Sequence, residues 1–341
     1  MRITNNQQTE IKIIMKTKLK TLLLILTIFF GVSACKNDTK KNKESTKAKT
    51  FEKTDVTGNF VSDSYAKRSE GYDWVSVAVT KNNSNNDLSI KVRSRADRKK
   101  PTCTLDATVQ KVNDSIYQTQ IEGKTILFQF SADKLSIHTK NETDKSILNF
   151  YCSGGASLEG IYKRIAEPLD AEQIDKTQFS KVLNLQGIGF NISSVTKNGK
   201  NQFTVFTFGL PYNYNETFDI NKEQIVNAKV EDLNSDGSPE LVIFTQNQDE
   251  QKRMMVYGFS VNNRKSISQV YFQRTEENIK INNGYNGNDE FTLIETFLTQ
   301  RFPIYENGSK TNKMRQIQYK LVDGEASRRF EVVKQREYNI K

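Results

Sequence analysis

Short runs of alternating apolar and polar residues, separated by turn residues, fill the chain from about residue 55 onward. Runs such as residues 74–79 and 88–94 place apolar side chains at every second position, which is the period of a half-buried strand. The runs at residues 147–152 and 291–297 also read as strands. Clusters of Asn, Gly and Asp divide the runs at hairpin spacing, and no strand–helix alternation supports a parallel sheet. The pattern predicts an all-β protein built from antiparallel sheets.

A polar joint near Pro168 divides this pattern into two antiparallel β domains. The pattern over residues 55–166 predicts a small barrel or sandwich, with segments at residues 58–60 and 160–162 placed to open and close it. Residues 167–341 predict the second β domain.

The N-terminal segment has the order of a secretory signal. Lysines precede the apolar run at residues 21–30, and Gly-Val-Ser-Ala-Cys35 follows it. The run is shorter than the roughly 20 apolar residues that span a bilayer, although an uncleaved anchor helix is the alternative. Val-Ser-Ala-Cys matches the lipobox of bacterial lipoproteins. The sequence therefore predicts a signal peptide over residues 1–34 and diacylation of Cys35.

Charge is concentrated before the predicted domains. The net charge is +10, yet residues 1–34 carry five basic residues and one acidic residue, and residues 36–54 carry seven lysines and three acidic residues. The remainder is nearly neutral, which argues against nucleic-acid binding. Residues 35–54 predict a disordered, lysine-rich linker on a lipid anchor. Because Lys36 is not an acidic retention signal, we expect an outer-membrane lipoprotein that faces the periplasm or the cell surface.

Two cysteines remain after Cys35, namely Cys103 and Cys152. An even number of cysteines in an exported, oxidising setting predicts a disulfide between them. A zinc site is disfavoured because His138 is the only histidine and no ligand spacing accompanies it.

Signatures of catalysis are missing from the sequence. No nucleophile elbow, phosphate loop or dinucleotide fingerprint appears, and the spacing of carboxylates favours no catalytic pair. We therefore expect a protein that is not an enzyme. We expect no cofactor other than Ca²⁺.

That exception is an acidic motif in which Asp232, Asn234, Asp236 and Glu240 surround a Ser-Asp-Gly-Ser-Pro turn. Oxygen ligands at alternating positions can wrap Ca²⁺, but the bidentate glutamate of an EF-hand is absent. The alternative is a tight acidic turn whose residues are suited to turn dihedral angles. The second interpretation is favoured, with at most weak calcium affinity.

Two further features admit more than one interpretation. The first is a row of alternating basic residues on one strand, namely Lys91, Arg93 and Arg95. This row is either a surface that binds acidic groups or an ordinary solvated face. Residues 151–157 form a turn of small residues beside the predicted disulfide. This turn either contacts a partner or is a constrained hairpin.

Several segments of the second domain, in order, resemble the periplasmic inhibitors of invertebrate-type lysozyme. They are residues 230–245, 256–262, 284–291, 301–305 and 315–326. The resemblance covers most of residues 175–340 and implies an antiparallel β fold that inserts a loop into the cleft of the enzyme.

The inhibitory loop of that family carries a Ser-Gly-x-Tyr-like element between the first two segments. Here the stretch at residues 246–253 contains no Ser, Gly or Tyr, so no inhibitory residue is carried over. A binding loop would have to use Asp249 and Glu250, or Lys252 and Arg253. A basic loop tip would be attracted to the carboxylates of a lysozyme-type cleft.

Two functions follow from the sequence. One is a membrane-anchored envelope lipoprotein that binds a lysozyme-like protein through this loop. The other is a non-enzymatic surface lipoprotein that binds glycan or another envelope component and has lost inhibitor activity.

Lipidation can be tested directly. Cys35→Ala, or treatment with globomycin, is expected to accumulate the precursor, and the alanine variant should leave the membrane fraction. Fractionation with immunoblotting measures this. Unchanged membrane partitioning of the variant would contradict the prediction.

Overall fold

The computed structural model describes residues 55–82 and 86–340. The predicted signal peptide, the lipidated Cys35 and the linker lie outside these residues. The described part is all-β, as predicted, and every pair of neighbouring strands is antiparallel. None of its helices has the length and apolar character needed to cross a bilayer.

The first eight strands form a closed barrel. They are β1 (Gly58–Val61), β2 (Val75–Lys81), β3 (Leu88–Ser94), β4 (Leu105–Lys111), β5 (Ile116–Ile121), β6 (Lys124–Ser131), β7 (Lys134–Thr139) and β8 (Gly160–Ile165). Pairing of β1 with β8 closes the barrel and confirms the predicted opening and closing strands. Apolar side chains fill the interior, as expected for eight strands.

Short helices accompany the strands. Within residues 55–82 and 86–340, three are 3₁₀-helices, at Asp63–Glu70, Glu142–Asp144 and Thr275–Glu277. The fourth, α1 (Ser146–Phe150), occupies the run that was predicted to be a strand, so that prediction was wrong. Ile147 and Leu148 of α1 are buried in the barrel core. A run this short, with Asn149 among its apolar residues, fits a buried helical turn as well as a strand, and periodicity alone does not separate the two.

A disulfide joins the β3–β4 connection to the segment after α1. Cys103 and Cys152 are bonded, with Cα atoms 4.1 Å apart, which confirms the predicted pair. The bond encloses a chain segment with a sequence separation of 49 residues.

The row of basic residues is divided in its exposure: Lys91 on β3 is exposed, whereas Arg93 on β3 and Arg95 directly after it are buried. Arg93 is 5% exposed and Arg95 is 3% exposed. Arg93 lies 2.7 Å from Asp106 and donates through Nε to the carbonyl of Thr177 at 2.7 Å. Lys91 donates to a carbonyl of the same connection between β8 and β9. The outer face of β3 therefore binds the polar connection.

Twelve further strands form three four-stranded sheets, each with its strands in chain order. The first sheet holds β9 (Phe179–Leu185), β10 (Ile188–Lys197), β11 (Lys200–Phe208) and β12 (Asn215–Asn221). The middle sheet holds β13 (Glu223–Glu231), β14 (Glu240–Asn247), β15 (Met254–Asn262) and β16 (Ser266–Val270). The third sheet holds β17 (Glu290–Ile294), β18 (Phe297–Glu306), β19 (Ser309–Val322) and β20 (Arg329–Asn339).

The middle sheet packs against the other two. Leu241 and Ile243 of β14 join a core with residues of the first sheet. Val242 and Phe244, from the opposite face of the same strand, join a core with the third sheet. Strand β14 is buried on both faces, which explains its unbroken apolar run Leu-Val-Ile-Phe.

Removal of the disulfide is expected to destabilise the barrel. Cys103→Ala/Cys152→Ala should lower the free energy of unfolding by about 4 kcal/mol in the loop-entropy model, because the unfolded chain regains its freedom. Denaturant unfolding of the full chain in detergent, followed by circular dichroism, measures the shift. Reductant should destabilise the wild type equally and leave the double variant unchanged. A double variant as stable as the oxidised wild type would show that barrel closure alone holds these segments.

Candidate functional site

The candidate binding loop, residues 248–253, connects β14 to β15 and is closed by its own hydrogen bonds. The backbone N–H of Asn247 donates to the carbonyl of Arg253 at 2.8 Å. One carboxylate oxygen of Asp249 accepts the N–H groups of Gln251 and Lys252 at 3.1 and 3.0 Å. Lys252 has a left-handed backbone, with φ at 46°. The loop thus has a defined conformation of its own.

A neighbouring segment, residues 284–289, supports the loop from outside. The N–H of Asn288 donates to the carbonyl of Gln251 at 2.7 Å. A Cβ atom on Gly287 would lie 2.1 Å from that same carbonyl oxygen, and the φ of Gly287 is 78°. Only glycine fits here on both counts. The loop therefore rests on a close backbone contact.

The four predicted loop residues differ in exposure. Asp249 is exposed, but its carboxylate is engaged in the loop. Glu250 and Lys252 are exposed at the tip. Arg253 is half-buried, and its Nε atom has no hydrogen-bond partner among the described residues. Glu250 and Lys252 are thus the pair best placed to reach a partner.

A buried polar network lies beside the loop, and no sequence pattern indicates it. Asp289 is 2% exposed and accepts hydrogen bonds from the N–H of Met254, the amide of Gln300 and the hydroxyl of Tyr285, at 3.0, 2.9 and 3.0 Å. The hydroxyl of Tyr319 donates to Gln300 at 2.6 Å. Burial raises the pKa of Asp289 to about 6, although these donors oppose the shift. The network fixes the start of β15.

The acidic motif forms a turn between β13 and β14. The two carboxylate oxygens of Asp232 accept the N–H groups of Asp236 and Gly237 at 3.1 and 3.0 Å. Asp236 accepts the N–H of Ser238 at 2.9 Å, and Arg328 lies 2.9 Å from its other oxygen. Asn234 donates to Asp236. The oxygens proposed as calcium ligands are therefore hydrogen-bonded within the fold.

Glu240, at the end of the turn, is a completely buried carboxylic acid. It accepts hydrogen bonds from the N–H of Leu233 at 2.8 Å and from the hydroxyl of Ser260 at 2.7 Å, while Arg328 lies 3.7 Å away. Burial raises the pKa of Glu240 to about 7, against the effect of these donors. Glu240 thus links β13, β14 and β15.

Weak calcium binding at this turn stays a prediction. Within the described ranges, no group of three or more His, Cys, Asp or Glu side chains has an arrangement that could hold a metal ion.

An interface groove of about 410 Å³ opens between the barrel and the first sheet. Its lining comes from the residues around the disulfide and from the outer face of β9, β10 and β11. Part of the turn at residues 151–157 lies in this lining. Its other parts are far apart in sequence, so no local pattern could have assembled them.

Comparison of the sequence with protein-family models and with curated proteins finds no match. The resemblance of the second domain to lysozyme inhibitors rests on the segments of this chain alone and stays a prediction.

The buried position of Glu240 predicts a pH dependence. Because its pKa in the folded state lies above that of the unfolded chain, its stabilising contribution is complete below about pH 4.5 and is lost as pH rises through about 7. Glu240→Gln should remove up to ~3 kcal/mol of this dependence. Denaturant unfolding between about pH 5 and pH 8 measures it.

Glu231→Gln is the matched control, because Glu231 is exposed and pairs with Glu240 across the two strands. It should leave the pH profile unchanged. An identical profile in Glu240→Gln and the wild type would show that Glu240 does not titrate in this range.

Proposed function

We propose that the protein is a membrane-anchored lipoprotein of the outer membrane that binds a lysozyme-like glycosidase by inserting the candidate binding loop into its cleft. It acts by binding and not by catalysis. The observation that carries the proposal is the conformation of this loop, which is fixed both internally and by the segment at residues 284–289.

Rigidity matters because a loop that must be ordered on binding loses part of its binding free energy. Here Asp249 holds the backbone of Gln251 and Lys252, and Gly287 allows the supporting segment to approach closely. The loop is thus ordered before any partner arrives. Its position between β14 and β15 also matches the position of the inhibitory loop in the family that this domain resembles.

The charge at the loop tip suits a cleft that contains carboxylates. Lys252 is exposed, and its backbone conformation is set by the hydrogen bond to Asp249. Glycosidases of this type work with a pair of carboxyl groups, which would attract an ammonium group. Glu250, beside it, would add selectivity by repelling an acidic rim. The loop would therefore use a chemistry different from that of a Ser-Gly-x-Tyr element.

The test is a lysis assay. Lysozymes of the invertebrate, chicken and goose types would digest cell walls in the presence of the full chain, solubilised in mild detergent. At least one enzyme should be slowed at micromolar concentration. Lys252→Ala should weaken inhibition roughly tenfold, because it removes an anchoring charge from the interface.

Lys265→Ala serves as the control, since Lys265 is exposed in the β15–β16 turn at the opposite end of the same sheet. It should inhibit like the wild type. The proposal fails if no lysozyme is slowed and none is retained on a column of the immobilised protein. Equal loss in both lysine variants would also refute the role of the loop.

A further inference from the structure

The interface groove has aromatic walls on both sides. The barrel contributes Phe150 and Tyr151 from the end of α1, and the first sheet contributes Phe206 and Phe208 from β11. Phe150 is 49% exposed, although an apolar ring of this size is usually buried in a soluble domain. The volume, about 410 Å³, lies in the usual range of ligand pockets.

These walls are held in place. Phe150 and Tyr151 make an edge-to-face contact with centroids 5.3 Å apart, and the disulfide of Cys152 follows directly. Opposite them, the ring of Phe208 lies over Gly189, where a Cβ atom would be only 2.0 Å from the ring. The aromatic surfaces are therefore ordered without a ligand.

Among the residues that the structure describes, the lining contains no Asp, Glu, Lys, Arg or His side chain. The nearest acid on β4, Asp106, already pairs with Arg93 at 2.7 Å and accepts the N–H of Ser180 at 2.9 Å. Burial raises the pKa of Tyr151 to about 12, so its phenol is neutral. An ionic ligand would find no counter-charge in the groove.

The lining also contains uncharged hydrogen-bonding groups. Asn191 and Ser153 are exposed in the lining, and the side chains of Thr102 and Ser180 are partly exposed beside them. A purely apolar ligand would cover these groups without giving them partners, which is unfavourable. The groove is thus suited to a molecule with apolar faces and polar edges.

We propose that the interface groove binds an uncharged oligosaccharide. The C–H faces of its sugar rings would pack on Phe150, Phe206 and Phe208, and its hydroxyl or acetamido groups would bond to Asn191 and Ser153. This site is separate from the candidate binding loop and does not depend on the function proposed for it.

Calorimetry with the full chain in mild detergent tests this. The probes are chitotetraose and cellotetraose, both uncharged, and tetragalacturonate, which is anionic. At least one uncharged probe should bind with a submillimolar Kd, whereas the anionic probe should not. Phe150→Ala and Phe206→Ala should each weaken binding roughly tenfold. Raising NaCl from about 50 to about 500 mM should change the affinity less than about twofold.

Tyr271→Ala is the matched control, because Tyr271 is an aromatic residue that is 57% exposed but lies outside the groove lining. Lys252→Ala should bind sugar like the wild type, which separates this result from the lysozyme assay. The proposal is overturned if neither uncharged probe binds at millimolar concentration. It is also overturned if Tyr271→Ala weakens binding as much as Phe150→Ala.

Discussion

The burial of β14 on both faces is the constraint on which the second domain depends. Four adjacent residues of this strand, Leu241 to Phe244, are fully buried and contribute to two hydrophobic cores. Burial of each such side chain stabilises the fold by about 1.5–3 kcal/mol. A strand with one buried face has its register set by alternation, because a slip of one residue would expose the apolar set. In β14 both faces are apolar, so alternation does not fix the register.

Polar groups at the two ends of β14 contribute the positional information that its apolar pattern does not provide. At its start, Glu240 binds the N–H of Leu233 and the hydroxyl of Ser260, which ties the strand to both of its neighbours. At its end, Asn247 closes the candidate binding loop, and Asp289 holds the N–H of Met254 at the start of β15. A buried carboxylate is costly unless it is hydrogen-bonded, so a shifted register of β14 would leave Glu240 without its donors. Glu240 therefore fixes the register of β14, and Asp289 fixes the start of the next strand.

Alternation along the sequence was sufficient to predict the all-β class and the opening and closing strands of the first domain, but it left barrel and sandwich open; the cysteines were sufficient to predict the disulfide. The local sequence pattern gave wrong or incomplete predictions where contacts with distant parts of the chain, or a tight turn, determine the structure. Residues 147–152 are too few to distinguish a helical turn from a strand. Residues 291–297 cross a tight turn, where Glu295 has a φ of 52°, so one predicted strand is the end of β17 and the start of β18. Arg93 looks like a surface residue in the sequence, because no local pattern indicates the connection whose carbonyl it binds.

The two proposed sites also differ in how far the sequence could locate them. The binding loop lies between consecutive strands, so a resemblance in chain order could locate it before its conformation was known. The interface groove has no such signal, because its walls come from the end of α1 and from β11 and meet only in the folded chain. What brings them together is the outer face of β3, where Arg93 and Lys91 bind the backbone of the connection between β8 and β9. Arg93 is buried and bonds to a carbonyl there, so it acts as a fixed anchor, and Lys91 bonds to the same connection from an exposed position. The basic row thus has a structural role that bears on function, since it sets the first sheet against the barrel and so holds the aromatic walls across from each other.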